Sequence, residues 1–212
     1  MAVDTILTHD YFPLGAFQCN CSILSREGRA VVIDPGAEFD EILRRLDGLR
    51  VEQILLTHAH IDHVGAVAEL KRHFGVPVAL HPADQVTYDL LPQQAEWTRM
   101  PAPEPFAIER ALVSGETLDC LGQEMQVLFT PGHSPGSVSF YLPGEGKVIA
   151  GDTLFRGSIG RTDLPGGDHE VLIRSIKKRL MTLPAETEVY SGHGEMTTIG
   201  AEARGNPFLK GR

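Results

Sequence analysis

The chain is poor in cysteine, tryptophan and positive charge, and it has no long apolar run. Its three cysteines, Cys19, Cys21 and Cys120, are an odd number among 212 residues. They do not make a disulfide framework and suit a reducing compartment with free thiols. No apolar stretch approaches the roughly 20 residues that a bilayer-spanning helix needs. The N-terminus, MAVDTILTHDYF, has neither the basic n-region nor the apolar h-region of a secretory signal. The expectation is a cytoplasmic protein without a membrane partner. Lys and Arg number 19 against 28 Asp and Glu, a formal charge of −9. No basic stripe appears, which argues against nucleic acid as a partner. There is no G-x-S-x-G elbow either, so nothing points to a serine nucleophile.

What the chain does have is histidine in one place. The stretch THAHIDHVG packs His58, His60, Asp62 and His63 into six residues. Neutral imidazole nitrogen and carboxylate oxygen are ligands that zinc, iron and manganese accept. The run before it, 53–56, reads as a short buried strand, and the apolar positions from Val64 onward read as a helix to Phe74. The ligand types therefore fall on a turn at the C-terminal end of a strand, where open α/β sheets commonly place their sites.

With 42% hydrophobic and 22% charged residues, the composition is that of an ordinary globular chain able to fill a core. In chain order, strands are predicted at 5–9, 20–25 and 30–34, with Pro13 to Gly15 as a turn and 26–29 as a hairpin turn. A helical apolar stripe covers 38–46, and a strand at 77–80 is stopped by His81-Pro82. This alternation indicates α/β layers. Residues 91–105 carry four prolines and the single Trp97. They read as an irregular excursion with a short helix at 93–98, either a surface loop or a wall of the substrate pocket. Strands return at 117–121, 124–130, 137–142, 147–150 and 188–190. Asp168 is placed to cap a helix to Leu180, and a closing turn or helix starts at Thr198. Strands followed by a site loop occur in both halves, a hint of an internal pseudo-repeat. Cys19 and Cys21, two apart on a strand, share a face; a metal pair and packing are both open to them, and packing is the reading preferred.

Three further loops carry ligand types directly after predicted strands: TPGHSPGS with His133, AGDTLF with Asp152, and YSGHG with His193. In the first, Pro131 and Pro135 stiffen a turn that Gly132 and Gly136 allow.

T-H-x-H-x-D-H, then T-P-G-H-S-P-G-S, G-D-T-L-F and S-G-H, in that order over nearly the whole chain, resemble the metallo-β-lactamase fold superfamily. Within it the chain is most similar to the short, bacterial members of the glyoxalase II (hydroxyacylglutathione hydrolase) type, through GRTDLPGGD after Asp152 and the terminal NPFL. The resemblance implies one α/β (α+β) domain over 1–212, a four-layer αββα sandwich with metals at one edge of the two sheets. It gives His58, His60 and His133 to one divalent ion and Asp62, His63 and His193 to a second, with Asp152 bridging. Zinc is the first expectation, iron or manganese the others. Asp62 and Asp152 become catalytic through the hydroxide that the ions share. Asp34, at the family's VIDPG position, would support a ligand histidine from behind. The activity implied is hydrolysis of an acyl-glutathione thioester, a small-molecule substrate. The alternative is a persulfide dioxygenase with one iron on His58, His133 and Asp152.

The chain also departs from typical glyoxalase II. The C-terminal helical segment that helps hold glutathione has no counterpart. Arg161 can serve as the substrate-binding cation, whose planar fork suits a carboxylate, but Asp163 stands where the family commonly has an aromatic. Arg161 paired with Asp163 or Asp168 is the other reading. His9, His73, His81 and His169 lie outside the motifs and read as surface or packed residues.

Overall fold

The computed structural model describes residues 6–210. Two six-stranded sheets form its centre. The first runs in the order β1 (Thr8–Leu14), β2 (Cys19–Arg26), β3 (Arg29–Ile33), β4 (Arg50–Leu55), β5 (Val78–Leu80) and β6 (Arg110–Ala111). The second contains β7 (Thr117–Cys120), β8 (Gln123–Phe129), β9 (Val138–Leu142) and β10 (Lys147–Gly151) in sequence. After a small separate hairpin of β11 (Leu154–Phe155) and β12 (Ser158–Ile159), it is completed by β13 (Glu188–Ser191) and β14 (Thr197–Thr198). In each sheet an antiparallel meander passes into a parallel pair, β3 with β4 and β10 with β13. The two halves thus repeat one pattern.

Residue alternation along the strands explains the layering. Val32 of β3 points into an apolar cluster with Ile42 of helix α1 (Phe39–Arg45) and Leu70 of helix α3 (Val67–Phe74), the latter preceded by the short helix α2 (Ile61–Val64). Its neighbours Val31 and Ile33 point the other way, into a cluster shared with Val127, Phe140 and Ile149 of the second sheet. On β10 the alternation continues: Val148 and Ala150 face a third cluster. That cluster includes Leu172 of helix α6 (His169–Ser175), and Ile199, which opens helix α7 (Ile199–Gly205). Three apolar interlayers, helix–sheet, sheet–sheet and sheet–helix, define a four-layer αββα sandwich. Each fully buried Leu, Ile or Phe in them contributes about 1.5–3 kcal/mol of burial.

Several elements differ from the sequence expectation. The first strand runs through Pro13 to Leu14 rather than stopping before it, because β1 is an edge strand with a free side where proline needs no ladder partner; Thr5 of the predicted strand lies outside the described residues. The predicted helix from Val64 is two pieces, α2 and α3, and α2 starts earlier, so that Asp62 and His63 sit on a helical turn. The break is packed tightly: a Cβ at Gly36 would lie 1.8 Å from the Asp62 carbonyl oxygen, and one at Gly65 2.2 Å from that of Gly36. Helix α4 (Gln85–Asp89) was not foreseen, and α5 (Leu91–Thr98) is longer than expected, with Pro92 within its first turn, where proline is tolerated. Asp168 caps α6 through Val171 N, and the helix continues to Leu180 as a π-helical stretch.

Buried polar groups hold the loops at the sheet edge. Asp84, fully buried before α4, accepts hydrogen bonds from Ala59 N (2.6 Å), Gly136 N (2.9 Å) and Thr87 Oγ1 (3.1 Å). It ties the loop after β4 to the loop before β9, and nothing in its sequence context announces this. Replacing Asp84 with Ala leaves two buried N–H groups unpaired. The variant should lose about 2–6 kcal/mol, at about 1–3 kcal/mol per orphaned donor, read as a lower midpoint in chemical denaturation of the metal-free protein. A change within 0.5 kcal/mol would contradict the clamp.

Candidate metal centre

Four strand ends deliver the chemistry to one edge. β4 leads into His58, His60 and α2, and β8 into the loop of His133. β10 leads into Asp152 and β13 into His193. All seven ligand-type side chains expected from the sequence are brought together there. One set is His58, His60 and His133; another contains Asp62, His63 and His193, and within each set the donor atoms lie within 4.8 Å of one another. Asp152 lies between them: its Oδ1 is 3.4 Å from His63 Nε2, and its Oδ2 is 3.5 Å from His133 Nε2 and 3.6 Å from His193 Nε2. Asp62 Oδ2 is 3.2 Å from His193 Nε2. Gly192 is obligatory in this packing, since a Cβ there would sit 2.1 Å from Asp152 Oδ1.

The rings are oriented from behind. His133 Nδ1 donates to the Arg161 carbonyl (2.8 Å) and His193 Nδ1 to the Phe17 carbonyl (3.0 Å). His63 Nδ1 donates to Asp34 Oδ2 at 3.0 Å. Thr57 Oγ1 donates to the same carboxylate oxygen (2.6 Å) and is left to accept from His58 Nδ1 (3.0 Å). In all four rings Nδ1 is engaged by an acceptor and Nε2 is the nitrogen left to face the centre, the arrangement a divalent ion requires. His60 enters by its other nitrogen, with Nδ1 2.8 Å from His133 Nε2. Inside this ring of donors, His58 Nε2, His63 Nε2 and Asp152 Oδ1 are buried without a hydrogen-bond partner. Buried polar atoms are rarely left so, and an orphaned set of nitrogen and oxygen donors fits a bound divalent cation.

The electrostatics divide the site in two. Burial, with neighbouring imidazoles adding to it, drives His58 well below its ordinary value and His60 to about 3. Burial pulls His63 the same way, but its interactions with Cys19 and with the carboxylates of Asp152 and Asp34 outweigh it and raise His63 well above the usual histidine range. His193 is raised as well, burial again opposing and Asp62 and Asp152 prevailing. Burial favours a neutral Asp152, yet His63, His133 and His193 hold its carboxyl well below the ordinary carboxylate range.

A cavity of about 780 Å³ opens over the donors. Phe17, Leu90, Trp97, Phe155 and Leu164 give it apolar walls. Trp97 of the proline-rich excursion thus faces the pocket, and Gln94 of α5 anchors that wall by accepting from Ile61 N at 2.9 Å. Arg161 also lines the cavity, but its guanidinium is paired in two-pronged fashion with Asp163 at 2.7 and 2.8 Å. The sequence pointed to neither Asn20 nor Tyr11. Asn20 Nδ2 donates to the carbonyls of Ser191 and Gly194 (both 3.0 Å) and Tyr11 Oη to that of Ser191 (2.7 Å), fixing the His193 loop. For Cys19 packing was the preferred reading over a metal pair with Cys21; its Sγ falls within the same set as Asp62, His63 and His193. His9, His73 and His81 are engaged elsewhere, with Ser22, Phe39 and Phe129 respectively.

Comparison with known proteins agrees with this architecture. The model of the metallo-β-lactamase superfamily matches residues 14–193. The hydroxyacylglutathione hydrolase GloC of Haemophilus influenzae is 40% identical over 208 residues, covering 96% of this chain and 98% of its own. Among solved structures, BLEG-1, a B3 metallo-β-lactamase, is 40% identical with a TM-score of 0.91, covering 96% of this chain and all of that one. TTHA1623, solved in a di-iron-bound form, is 46% identical with a TM-score of 0.86, covering 94% of this chain and all of that one. The sandwich, the histidine- and aspartate-rich edge and the near full-length similarity agree: the chain belongs to the metallo-β-lactamase superfamily, as a metal-dependent hydrolase.

Proposed function

We propose that the protein hydrolyses acyl-glutathione thioesters. In this reading one divalent ion is held by His58, His60 and His133 and another by Asp62, His63 and His193, with Asp152 shared between them. The observation that carries it is the inward set of Nε2 lone pairs, each fixed by an acceptor at Nδ1, around buried donors without partners. Bound divalent ions supply a Lewis acid for the carbonyl and a nucleophile from water at neutral pH. The chain's own groups do the rest. Asp62 and Asp152 compensate positive charge at the centre. The backbone carbonyls of Arg161 and Phe17 keep His133 and His193 in their tautomers. The apolar walls exclude water from the carbonyl. Support for glutathione as the thiol arm comes from the full-length similarity to GloC. Arg161 is the cation on the pocket wall suited to a glutathione carboxylate. Its pairing with Asp163 is solvent-exposed and screened, so a substrate carboxylate can exchange for it at little cost.

Fully loaded protein should contain about two ions per chain, as a two-metal site requires. Asp152→Ala should lose turnover and retain metal poorly while remaining folded, because the shared carboxylate sits at a strand end. Elemental analysis beside circular dichroism checks both, and a variant with full metal and near-normal turnover removes Asp152 from the shared position.

Acid should empty the site unevenly. His63 and His193, raised above the ordinary 6.5, take up protons before His60, which stays free to about 3. As pH falls, the ion on Asp62, His63 and His193 should leave first, in a separate step of a metal-release titration. Release of both ions in one step, or in the reverse order, contradicts the division.

The substrate is tested by paired assays on metal-loaded protein, one following cleavage of S-lactoylglutathione and related thioesters, the other oxygen uptake with glutathione persulfide and ferrous iron. Thioester cleavage is expected, with Arg161→Met raising KM more than it lowers kcat, the mark of lost uniform binding. Oxygen uptake without thioester cleavage would replace the hydrolase by the dioxygenase.

A further inference from the structure

Cys19 stands apart from the other two cysteines. Cys21 packs with Phe12, Leu14 and Ile42 in the outer core, and Cys120 with Leu118 and Met125 between the sheets. Cys19 is fully buried yet belongs to none of the three apolar clusters. It opens β2, on the face that Cys21 presents to the helices, but at the end of the strand where α2 and the His193 loop replace apolar neighbours. Its backbone is fixed there on two sides. Cys19 pairs with Leu14 of β1 and makes an isolated bridge with His193, and the next amide, Asn20 N, donates to the Gly192 carbonyl at 2.7 Å.

This placement brings Cys19 Sγ into one group with a carboxylate oxygen of Asp62 and a ring nitrogen each of His63 and His193, all within 4.8 Å of one another. Such spacing is what donors about 2.0–2.3 Å from one shared ion would show. A second, independent feature points the same way. His63 Nε2 is buried and has no hydrogen-bond partner, although a thiol is in its immediate neighbourhood.

We propose that Cys19 is a sulfur ligand of the ion held by Asp62, His63 and His193, making that half of the centre a mixed nitrogen, oxygen and sulfur site while the His58, His60 and His133 half has no sulfur donor. The inference rests on the reading of these residues as a metal centre. When the ion binds, the S–H bond breaks, the proton leaves to solvent and the sulfur lone pair goes to the metal. A cation at a thiol reverses the effect of burial in this way. The consequence is selectivity. A thiolate is a soft donor, which favours zinc or ferrous ion over magnesium or manganese at that position. The two halves of the site would then differ in metal preference within one pocket.

The test uses the full chain, stripped of metal and titrated with cobalt(II) alone. The expected result is an intense near-ultraviolet thiolate-to-cobalt charge-transfer band in the unmodified protein and its loss in Cys19→Ser, while the weaker visible bands of nitrogen- and oxygen-bound cobalt persist. X-ray absorption on the zinc-loaded, unmodified protein gives a second readout that needs no variant. It should show a sulfur neighbour at about 2.3 Å, so the result stands even where Cys19→Ser fails to fold. Metal bound with a shell of nitrogen and oxygen only, or a charge-transfer band that survives in folded Cys19→Ser, would overturn the role of Cys19 and leave the metal centre standing. Failure of the unmodified protein to bind cobalt or zinc at all would overturn the metal centre, and the sulfur ligand with it.

Discussion

The structure depends on holding five imidazoles together, four of them buried and His193 half-buried, with one nitrogen of each turned to a common centre. Protonated, they would repel at ring separations of 4.0–5.6 Å. Neutral but free to choose a tautomer, they would present a mixture of donors and acceptors to the centre. The fold limits both, the first only in the His58 and His60 half, since neighbouring carboxylates raise His63 and His193. Burial suppresses protonation of His58 and His60. Acceptors placed behind the rings, two of them backbone carbonyls from neighbouring loops, choose the tautomer of the other nitrogen. A side chain or carbonyl displaced by an ångström from behind a ring would turn its lone pair away. That explains why so much buried polar structure is spent on loops rather than on the sheets.

The layered fold was legible in the sequence because its signals are local. Strands at 117–121, 124–130, 137–142 and 147–150 were bounded within a residue or two, since short apolar runs between turn residues carry their own limits. The ligand-type residues were legible because they sit directly after such strands. What was missed depends on position in three dimensions. Pro13 was expected in the turn between strands, and whether a strand can run through it depends on β1 being an edge. Asp84 sits in a plain His-Pro-Ala-Asp run, and its three partners lie in other segments. The same is true of Asn20 and Tyr11, whose partners Ser191 and Gly194 are more than 170 residues away. Period two on β2 correctly put Cys19 and Cys21 on one face. It could not show that the face passes from an apolar environment at Cys21 to a polar one at Cys19 within a single step of the pleat.

The pocket wall shows the same limit from another side. The proline-rich excursion was equally consistent with a surface loop or a wall, because composition does not say which way a segment folds back. Gln94 decides it: its side chain accepts from Ile61 N and donates to the Thr87 carbonyl, so α5 is tied both to the ligand loop and to α4. Trp97 then has to stand at the cavity. One amide side chain thus connects the substrate wall to the metal-ligand turn, and the pocket's shape is coupled to the position of α2.

Asp34 shows how far the fold bends to meet the central constraint. It adopts the left-handed backbone conformation, with φ of 52°, which costs a residue with a side chain on the order of 1–3 kcal/mol. Glycine would relieve that strain but could not do what the carboxylate does. Oδ1 accepts from Thr57 N at 2.8 Å, and Oδ2 accepts from both Thr57 Oγ1 and His63 Nδ1. Through the threonine hydroxyl the same oxygen governs His58, a member of the nitrogen-only set, while it orients His63 of the other set directly. A single buried carboxylate therefore fixes one ring in each half. The two halves are coupled through the protein before any ion is present, and the left-handed turn at Asp34 is the geometry that lets one side chain reach both.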